Sequence, residues 1–238
     1  MSKLISLLFK FPYQRILLLI FLYTPFLFCC DQKEKQSVKE QLADTSEDVS
    51  IITESNKKVI VFFGNSITAG YRLDLSEAFP FLIGEFIDSL KLNYRVVNAG
   101  LSGETTSSGN SRVEWVLKNQ VDIFVLELGS NDGLRGIKTE ETRKNIKGII
   151  DKVKNKYPEA KIVLAGMQIP PNMGQEYSDS FKHIFPELAL EYKIPLIPFI
   201  LEGVAGVPEL NLDDGIHPTP EGHMILAKNI WDILSPML

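Results

Sequence analysis

The chain has 238 residues, of which 45% are hydrophobic and 23% are charged. This composition is typical of soluble proteins and allows one substantial hydrophobic core, so we expect a single large folded domain. The formal net charge is −5, which argues against nucleic acid as a partner, because its phosphates demand clustered Lys and Arg.

The N-terminus has the pattern of an export signal. Basic residues precede an apolar stretch from Ile16 to Phe28, and Cys29 and Cys30 follow at once. The stretch is shorter than the roughly 20 residues that a membrane-spanning helix needs, which favours a cleaved signal over a permanent anchor. We therefore expect residues 1–29 to be a signal peptide.

The end of this leader, Leu27 to Cys30, resembles a bacterial lipoprotein box with the modified cysteine last. We expect Cys30 to carry the lipid and to anchor an exported protein to a membrane, in the periplasm or at the cell surface. Two alternatives stay open: both cysteines are merely small apolar residues of a secretory leader, or they pair with another chain. No cysteine follows position 30, so the folded domain has no disulfide, no thiol nucleophile and no cysteine metal site.

Residues 30–57 are predicted to form a disordered tether. Gln, Lys, Glu, Ser and Asp dominate this segment, and it contains no aromatic residue. Such a composition buries too little apolar surface to fold. On a random-coil estimate, the tether would let the domain reach about 25 to 30 Å from a membrane surface.

From residue 58 to 238, short apolar runs alternate with segments of helical period. Runs that are rich in branched and aromatic residues are typical of strands buried on both faces. The predicted strands are Val59 to Phe63, Tyr94 to Asn98, Ile123 to Leu128, Ile162 to Ala165 and Leu196 to Phe199. The predicted helices are Glu77 to Leu90, Ser111 to Asn119, Glu140 to Tyr157, Asp179 to Tyr192 and, with Thr219 as N-cap, a last helix that ends near Leu234. This alternation predicts a three-layer α/β/α sandwich with a five-stranded parallel sheet.

Ser66 comes directly after the first predicted strand, where ligands of open parallel sheets bind. Serine is a poor nucleophile at neutral pH, so nucleophilic catalysis needs an imidazole within hydrogen-bond reach and a carboxylate that orients it. The surrounding residues do not form the Gly-x-Ser-x-Gly elbow, because position 68 is Thr. The alternative is that Ser66 only caps the next helix.

His217 and Asp214 are the matching candidates for the imidazole and the carboxylate. They lie three residues apart, and Pro218 biases His217 toward an extended backbone, which lets both side chains project to one side. The other two histidines, His183 and His223, fall on predicted helices, where we expect surface or packing roles.

Acyl transfer also needs hydrogen-bond donors for the developing oxyanion. Gly103 offers a backbone N–H without a side chain in the way, Asn131 offers a side-chain amide, and the N–H of Ser66 is a third candidate. Taken separately, each of these segments could be a simple turn after a strand.

Four blocks occur in a fixed order: Gly64 to Ser66, the segment around Gly103, Gly129 to Asp132, and Asp214 to Pro218. In this order they resemble the SGNH (GDSL-type) hydrolases, in particular the subgroup of arylesterases and acyl-CoA thioesterase I / lysophospholipase L1. The resemblance covers nearly all of residues 58 to 235.

The resemblance implies a flavodoxin-like fold and a carboxylic ester hydrolase that acts on thioesters, lysophospholipids or aryl esters through an acyl-Ser66 intermediate. Ser66, Asp214 and His217 would be the catalytic triad, and Gly103 and Asn131 would complete the oxyanion hole with Ser66. It implies no metal and no organic cofactor.

Two further expectations follow from the resemblance. The family usually has Asp where this chain has Asn65, and we expect Asn65 to have a structural role with activity retained. The acyl group would lie along loops after the third and fourth strands, which places Leu134, Ile169 and Pro170 at the substrate.

Other functions stay open from the sequence. The chain could be a carbohydrate O-acetyl esterase of the same family, or a catalytically weak lipoprotein that binds a lipid or a glycan, because fold alone does not prove chemistry. We expect a monomer with a small-molecule ester or lipid as its substrate.

Overall fold

The computed structural model describes residues 56–238. The predicted signal peptide, Cys30 and nearly all of the predicted tether lie outside the described residues.

Five parallel strands form one sheet in the order β2-β1-β3-β4-β5. The strands are β1 (Lys58–Gly64), β2 (Tyr94–Gly100), β3 (Ile123–Glu127), β4 (Lys161–Ala165) and β5 (Leu196–Ile197). The helices are α1 (Ser66–Ala69), α2 (Phe79–Ser89), α3 (Thr106–Val116), α4 (Ser130–Leu134), α5 (Thr139–Lys156), α6 (Gln175–Tyr192) and α7 (Pro220–Leu234). This strand order is that of flavodoxin-like folds, and the predicted fold class is confirmed.

The centre of the sheet is apolar because both of its faces are covered. In β1 every residue after Lys58 is buried, and all five residues of β3 are buried. Helices α2 and α7 pack against each other, while α5 packs between α3 and α6. These two groups of helices are the outer layers of the sandwich.

The polypeptide reverses direction at the carboxyl ends of β1, β2 and β3, which lie side by side. Gly64 pairs in register with Gly100 of β2 and with Glu127 of β3. β2 lies on one side of β1 and β3 lies on the other. The sheet therefore brings the three loops together at this switch point in the strand order.

Some predicted boundaries are wrong. Helix α3 begins at Thr106 rather than Ser111, because Thr105 caps it by accepting a hydrogen bond from the N–H of Ser108. Strand β5 has two residues instead of four, since Pro198 has no N–H to contribute to a ladder. The last helix is confirmed: Thr219 is its N-cap and accepts from the N–H of Gly222.

Candidate active site

Ser66 lies on a sharp turn between β1 and the one-turn helix α1. Asn65, not Ser66, is the N-cap of this helix, and its Oδ1 accepts a hydrogen bond of 3.0 Å from the N–H of Ile67. The alternative that Ser66 is merely a capping residue is therefore wrong. The hydroxyl of Ser66 is free for another partner at the edge of the sheet.

The side chains of Ser66, His217 and Asp214 form a continuous hydrogen-bonded chain. Ser66 Oγ is 2.9 Å from His217 Nε2, and His217 Nδ1 is 2.8 Å from Asp214 Oδ2. The sequence separates the serine and the histidine by 151 residues. The structure thus brings together the three residues that the sequence singled out.

The loop that carries the histidine and the aspartate is held by its own backbone. The N–H of Leu212 donates to the carbonyl of His217 at 2.7 Å, and Asn211 and Pro218 form an antiparallel bridge. Asp214 Oδ1 accepts from the backbone N–H groups of Ile216 and His217 at 2.9 and 3.0 Å. One carboxylate therefore orders the loop with one oxygen and the imidazole with the other.

These contacts set the ionisation of Asp214. Desolvation raises the pKa of this carboxyl, but hydrogen bonds from the backbone and ring of His217 and from the Ile216 N–H outweigh it and lower the pKa to about 2. Asp214 is therefore ionised near neutral pH. An ionised carboxylate at Nδ1 favours the tautomer that carries its proton there, which leaves Nε2 free to accept a proton from Ser66.

The ring of Tyr71 packs beside His217, a contact that was not predicted from the sequence. Its ring lies 4.5 Å from the imidazole of His217 between centroids, with the planes tilted by 40°. The guanidinium of Arg72 lies over the ring of Tyr71, 5.4 Å from its centroid. The tilted tyrosine ring packs against the imidazole and limits the space in which it can rotate.

The other two candidate oxyanion donors follow neighbouring strands: Gly103 lies in the loop after β2, and Asn131 lies in helix α4 after β3. Gly103 has a φ of +80°, a backbone conformation that favours glycine. Its carbonyl accepts from Arg135 Nη2 at 3.2 Å, and Asn131 Nδ2 donates to the carbonyl of the next residue, Glu104, at 3.1 Å. Because a side-chain amide has two hydrogens, the second hydrogen of Asn131 is left for a ligand.

Buried polar contacts hold the Gly103 loop from below. Glu104 is 3% exposed and pairs with Arg112 through both carboxylate oxygens, at 2.7 and 2.5 Å. At the next turn, Asp132 accepts from the backbone N–H and the hydroxyl of Thr106 at 2.8 and 2.5 Å. These partners could not be predicted from the sequence, because each pair joins segments that only the fold brings together.

A third buried carboxylate, Glu127, contacts the turn that carries Ser66. Its oxygens accept hydrogen bonds from the Asn65 side chain, the Asn65 N–H and the Thr68 hydroxyl. Burial raises the pKa of Glu127 to about 7, although these hydrogen bonds act to lower it. The sequence prediction did not include Glu127 among the site residues.

An apolar cavity of about 380 Å³ is lined by Ile67, the residue that follows Ser66, and by the loops after the third and fourth strands. All three residues predicted to contact the substrate, Leu134, Ile169 and Pro170, line this cavity. Ile67 and Ile216, neighbours in sequence of Ser66 and His217, line it too. The cavity therefore lies beside the residues that flank Ser66 and His217 in sequence, and its apolar lining suits an acyl chain.

Residues 56–238 contain neither a cluster of metal-binding side chains nor a membrane-spanning helix. No group of three or more His, Cys, Asp and Glu side chains in this range could hold a metal ion. No helix in the same range is both long enough and apolar enough to cross a membrane.

The flavodoxin-like sheet with a Ser-His-Asp chain at its carboxyl edge defines a serine ester hydrolase of the SGNH type. The chain belongs to the GDSL-like Lipase/Acylhydrolase family, whose model matches residues 62–225. The predicted family and its carboxylic ester hydrolase activity are confirmed.

Named relatives agree with this assignment. Esterase TesA of Pseudomonas aeruginosa is 35% identical over 191 residues, which is 80% of this chain and 94% of that protein. Thioesterase 1/protease 1/lysophospholipase L1 of Escherichia coli is 36% identical over 180 residues, or 75% of this chain and 84% of its own length. A crystal structure of TesA superposes with a TM-score of 0.73 at 36% identity, covering 76% of this chain and 100% of that one.

Proposed function

We propose that this protein cleaves carboxylic esters or thioesters with apolar acyl groups through an acyl-Ser66 intermediate. The observation that carries the proposal is the hydrogen-bonded chain from Ser66 Oγ through His217 to the ionised Asp214. The apolar cavity beside Ser66 supports an acyl chain as the group that is recognised.

The first half of the reaction transfers the acyl group to the serine. His217 Nε2 takes the proton of Ser66 Oγ as the oxygen attacks the carbonyl carbon, and a tetrahedral oxyanion forms. The N–H groups of Ser66 and Gly103 and the free amide hydrogen of Asn131 donate to that oxyanion. When the intermediate collapses, His217 gives its proton to the departing alcohol or thiol.

The second half returns the enzyme to its starting state. A water molecule loses a proton to His217 Nε2 and attacks the acyl-serine carbonyl, and the same three donors stabilise the second oxyanion. Collapse releases the carboxylic acid and returns the proton to Ser66. Asp214 stays ionised throughout and stabilises the imidazolium that forms in each half.

Reaction with a fluorophosphonate tests the role of Ser66. We expect one covalent adduct per chain, located on Ser66 by mass spectrometry, and we expect Ser66→Ala to lose at least about a thousandfold in kcat/KM for p-nitrophenyl butyrate. The melting temperature of Ser66→Ala should stay close to that of the wild type. An adduct elsewhere would refute the mechanism, and no adduct with no turnover would favour the binding lipoprotein.

The cavity is proposed to bind the acyl chain of the substrate. Each added CH₂ that enters the cavity contributes up to about 0.8 kcal/mol, or roughly a fourfold rise in kcat/KM. A series of p-nitrophenyl esters from acetate upward should therefore show rising kcat/KM until the cavity is filled. A carbohydrate O-acetyl esterase would show the opposite trend, with acetate best.

The names of the relatives suggest which leaving groups to compare. Esterase, thioesterase and lysophospholipase are the activities that their names give. We propose that the same acyl group is accepted from an aryl ester, a thioester and a lysophospholipid, because the cavity contacts the acyl side. Comparison of the three substrates with one acyl chain measures how much the leaving group matters.

We also propose that the protein is an exported lipoprotein, attached to a membrane through Cys30, and that its catalytic domain is a monomer. The support is the leader sequence, in which Cys29 and Cys30 directly follow an apolar stretch. Cys30→Ser should lose metabolic labelling with a fatty acid and leave the membrane fraction, while Cys29→Ser should keep both. Labelling that follows Cys29, or no labelling of the wild type, would contradict the proposal.

A further inference from the structure

The turn that carries Ser66 rests on a buried pair of side chains that the mechanism does not use. Glu127 is the last residue of β3, and its carboxylate is 1% exposed. Asn65 Nδ2 donates to Glu127 Oε1 at 2.7 Å, and the Asn65 N–H donates to Oε2 at 3.2 Å. Thr68 donates its hydroxyl to the same Oε2 at 2.8 Å. One carboxylate thus binds the residue before the nucleophile twice and the helix after it once.

Asn65 uses both ends of its amide. Its Nδ2 donates to Glu127 and also contacts Ser130 Oγ at 3.0 Å, while its Oδ1 accepts from the N–H of Ile67 at 3.0 Å and lies 3.4 Å from Ser66 Oγ. The side chain therefore ties β3 and α4 to the first turn of α1. Ser66 lies between these two attachments.

Asn65 and Glu127 are closely packed against β1. A side chain at Gly64 would overlap Thr68 Oγ1 and lie 2.6 Å from Glu127 Oε2, so the carboxylate is pressed against the backbone of β1. Within residues 56–238, the hydrogen-bond donors to Glu127 belong to Asn65 and Thr68, and no cation is among them. Its orientation is fixed by hydrogen bonds in a space that admits few alternatives.

We infer that Asn65 and Glu127 are positioning residues that act as a matched donor and acceptor, and that this match fixes the position of Ser66 Oγ relative to His217. The inference rests on the proposed role of Ser66 as nucleophile. A misplacement of a reacting atom by about 1 Å can cost on the order of a hundredfold in rate. Neither Asn65 nor Glu127 lines the apolar cavity, so loss of the pair should lower kcat and leave KM nearly unchanged.

The geometry predicts which substitutions break the match. In Glu127→Gln, one orientation of the new amide points its NH₂ at Asn65 Nδ2 and the other points it at the Asn65 N–H, so two donors face each other in either case. In Asn65→Asp, two carboxyl groups face each other at the position of the 2.7 Å contact, and they must share one proton.

The reciprocal exchange restores the match. In the double variant N65D/E127Q, the Gln amide donates to the Asp carboxylate, and its carbonyl oxygen still accepts from the backbone N–H of residue 65 and from Thr68. The second Asp oxygen still accepts from the N–H of Ile67, and Ser130 can donate its hydroxyl to the first.

The experiment is a double-mutant cycle in the full-length protein, with kcat, KM and the rate of fluorophosphonate labelling of Ser66 measured for each variant. We expect E127Q to lose about tenfold or more in kcat and in labelling rate. We expect N65D, with its shared proton, to stay within about tenfold of wild type, and N65D/E127Q to recover to within about threefold. Glu187→Gln, an exposed partner of Arg143, is the matched control and should change nothing.

The outcomes separate this inference from the proposed function. If the wild type is not labelled at Ser66, the nucleophile assignment fails. If labelling occurs but E127Q behaves like wild type, or the double variant is no better than E127Q, the positioning inference is refuted. If E127Q does not fold, recovery of both folding and labelling in N65D/E127Q still supports it, and an unfolded double variant refutes it.

Discussion

Asp214 contacts the His217 ring through Oδ2 and the backbone of the same loop through Oδ1. Because its pKa is lowered to about 2, its charge is present over the whole range in which esters are assayed. In the proposed triad, the residue therefore supplies a fixed negative charge. Its neighbour Asp213 has no hydrogen bond to the ring in the described part of the chain, which makes it a useful control.

Asp214→Asn should lower kcat/KM on the order of 10³-fold or more, with little loss of stability, because an amide at Nδ1 favours the wrong tautomer of His217. The change keeps the shape of the side chain and an acceptor for the Ile216 and His217 N–H groups. Steady-state kinetics and thermal unfolding are the measurements, with Asp213→Asn expected to remain close to wild type. Turnover by Asp214→Asn near the wild-type value would remove this residue from the triad.

Single residues differ in how far the sequence reveals them. Ser66, Asp214 and His217 could be predicted because each lies in a short motif whose chemistry is local and whose order resembles a family. Glu127 and Tyr71 could not, since their roles arise from contacts with Asn65 and with His217 that join distant parts of the chain. No sequence pattern marks a carboxylate at a strand end as buried, because only the fold decides its burial.

At the scale of elements, helix α3 holds the Gly103 loop in place. Arg112, on this helix, pairs with Glu104 through both carboxylate oxygens and also donates to the carbonyl of Ala99 at 2.9 Å. Its guanidinium stacks over the ring of Phe63, 4.2 Å from the centroid. A planar fork of donors suits all three contacts at once, whereas an ammonium group does not.

Arg112→Lys should therefore lower the free energy of unfolding by about 1 to 3 kcal/mol, because the buried Glu104 keeps its charge and loses its bidentate partner. We expect kcat to fall as well, since the loop that carries the Gly103 N–H loosens. Urea denaturation and steady-state kinetics measure the two effects. Arg143→Lys, in an exposed ion pair with Glu187, is the control and should cost less than about 1 kcal/mol.

An unchanged unfolding free energy in Arg112→Lys, or a loss no larger than in Arg143→Lys, would show that the buried pair does not hold this loop.

Elements also show where prediction from sequence stops. Helix α7 could be placed to the residue because Thr219 and Pro220 are local signals for a helix start. Helix α3 begins five residues before its predicted start, since its first turn is polar and is fixed by the Thr106 contacts to Asp132. Helix starts that depend on tertiary partners carry little apolar periodicity, so the sequence pattern misses them.

For the whole molecule, stability should depend on pH through two buried groups that act in opposite directions. Burial raises the pKa of Glu127 to about 7, so its favourable contribution is complete below about pH 4.5 and is lost as the pH rises to 7. Burial, helped by the charge of His217, lowers the pKa of His223 to about 4. Stability that depends on a neutral His223 is complete above about pH 6.5 and is lost as the pH falls toward 4.

His223 joins two helices of one layer. It lies on α7, is 1% exposed, and its Nδ1 accepts a hydrogen bond of 3.1 Å from the N–H of Phe79 at the start of α2. The two residues are 144 positions apart in the chain. Protonation of Nδ1 would remove the acceptor and leave a charge in the packed layer, so the folded state resists it.

His223→Asn should therefore flatten the acid side of the stability curve. The Asn oxygen can accept from the Phe79 N–H but does not titrate, so the variant should lose less unfolding free energy than wild type between pH 6.5 and pH 4, although the smaller side chain makes it less stable at pH 7. Urea unfolding at a series of pH values measures both effects. The contribution of Glu127 to the pH dependence is the same in both proteins, so it cancels in their comparison. His183→Asn, at an exposed position of α6, should keep the wild-type pH dependence. Parallel curves for wild type and His223→Asn would mean that His223 takes up its proton equally well in the folded and unfolded states, contrary to its burial against Phe79.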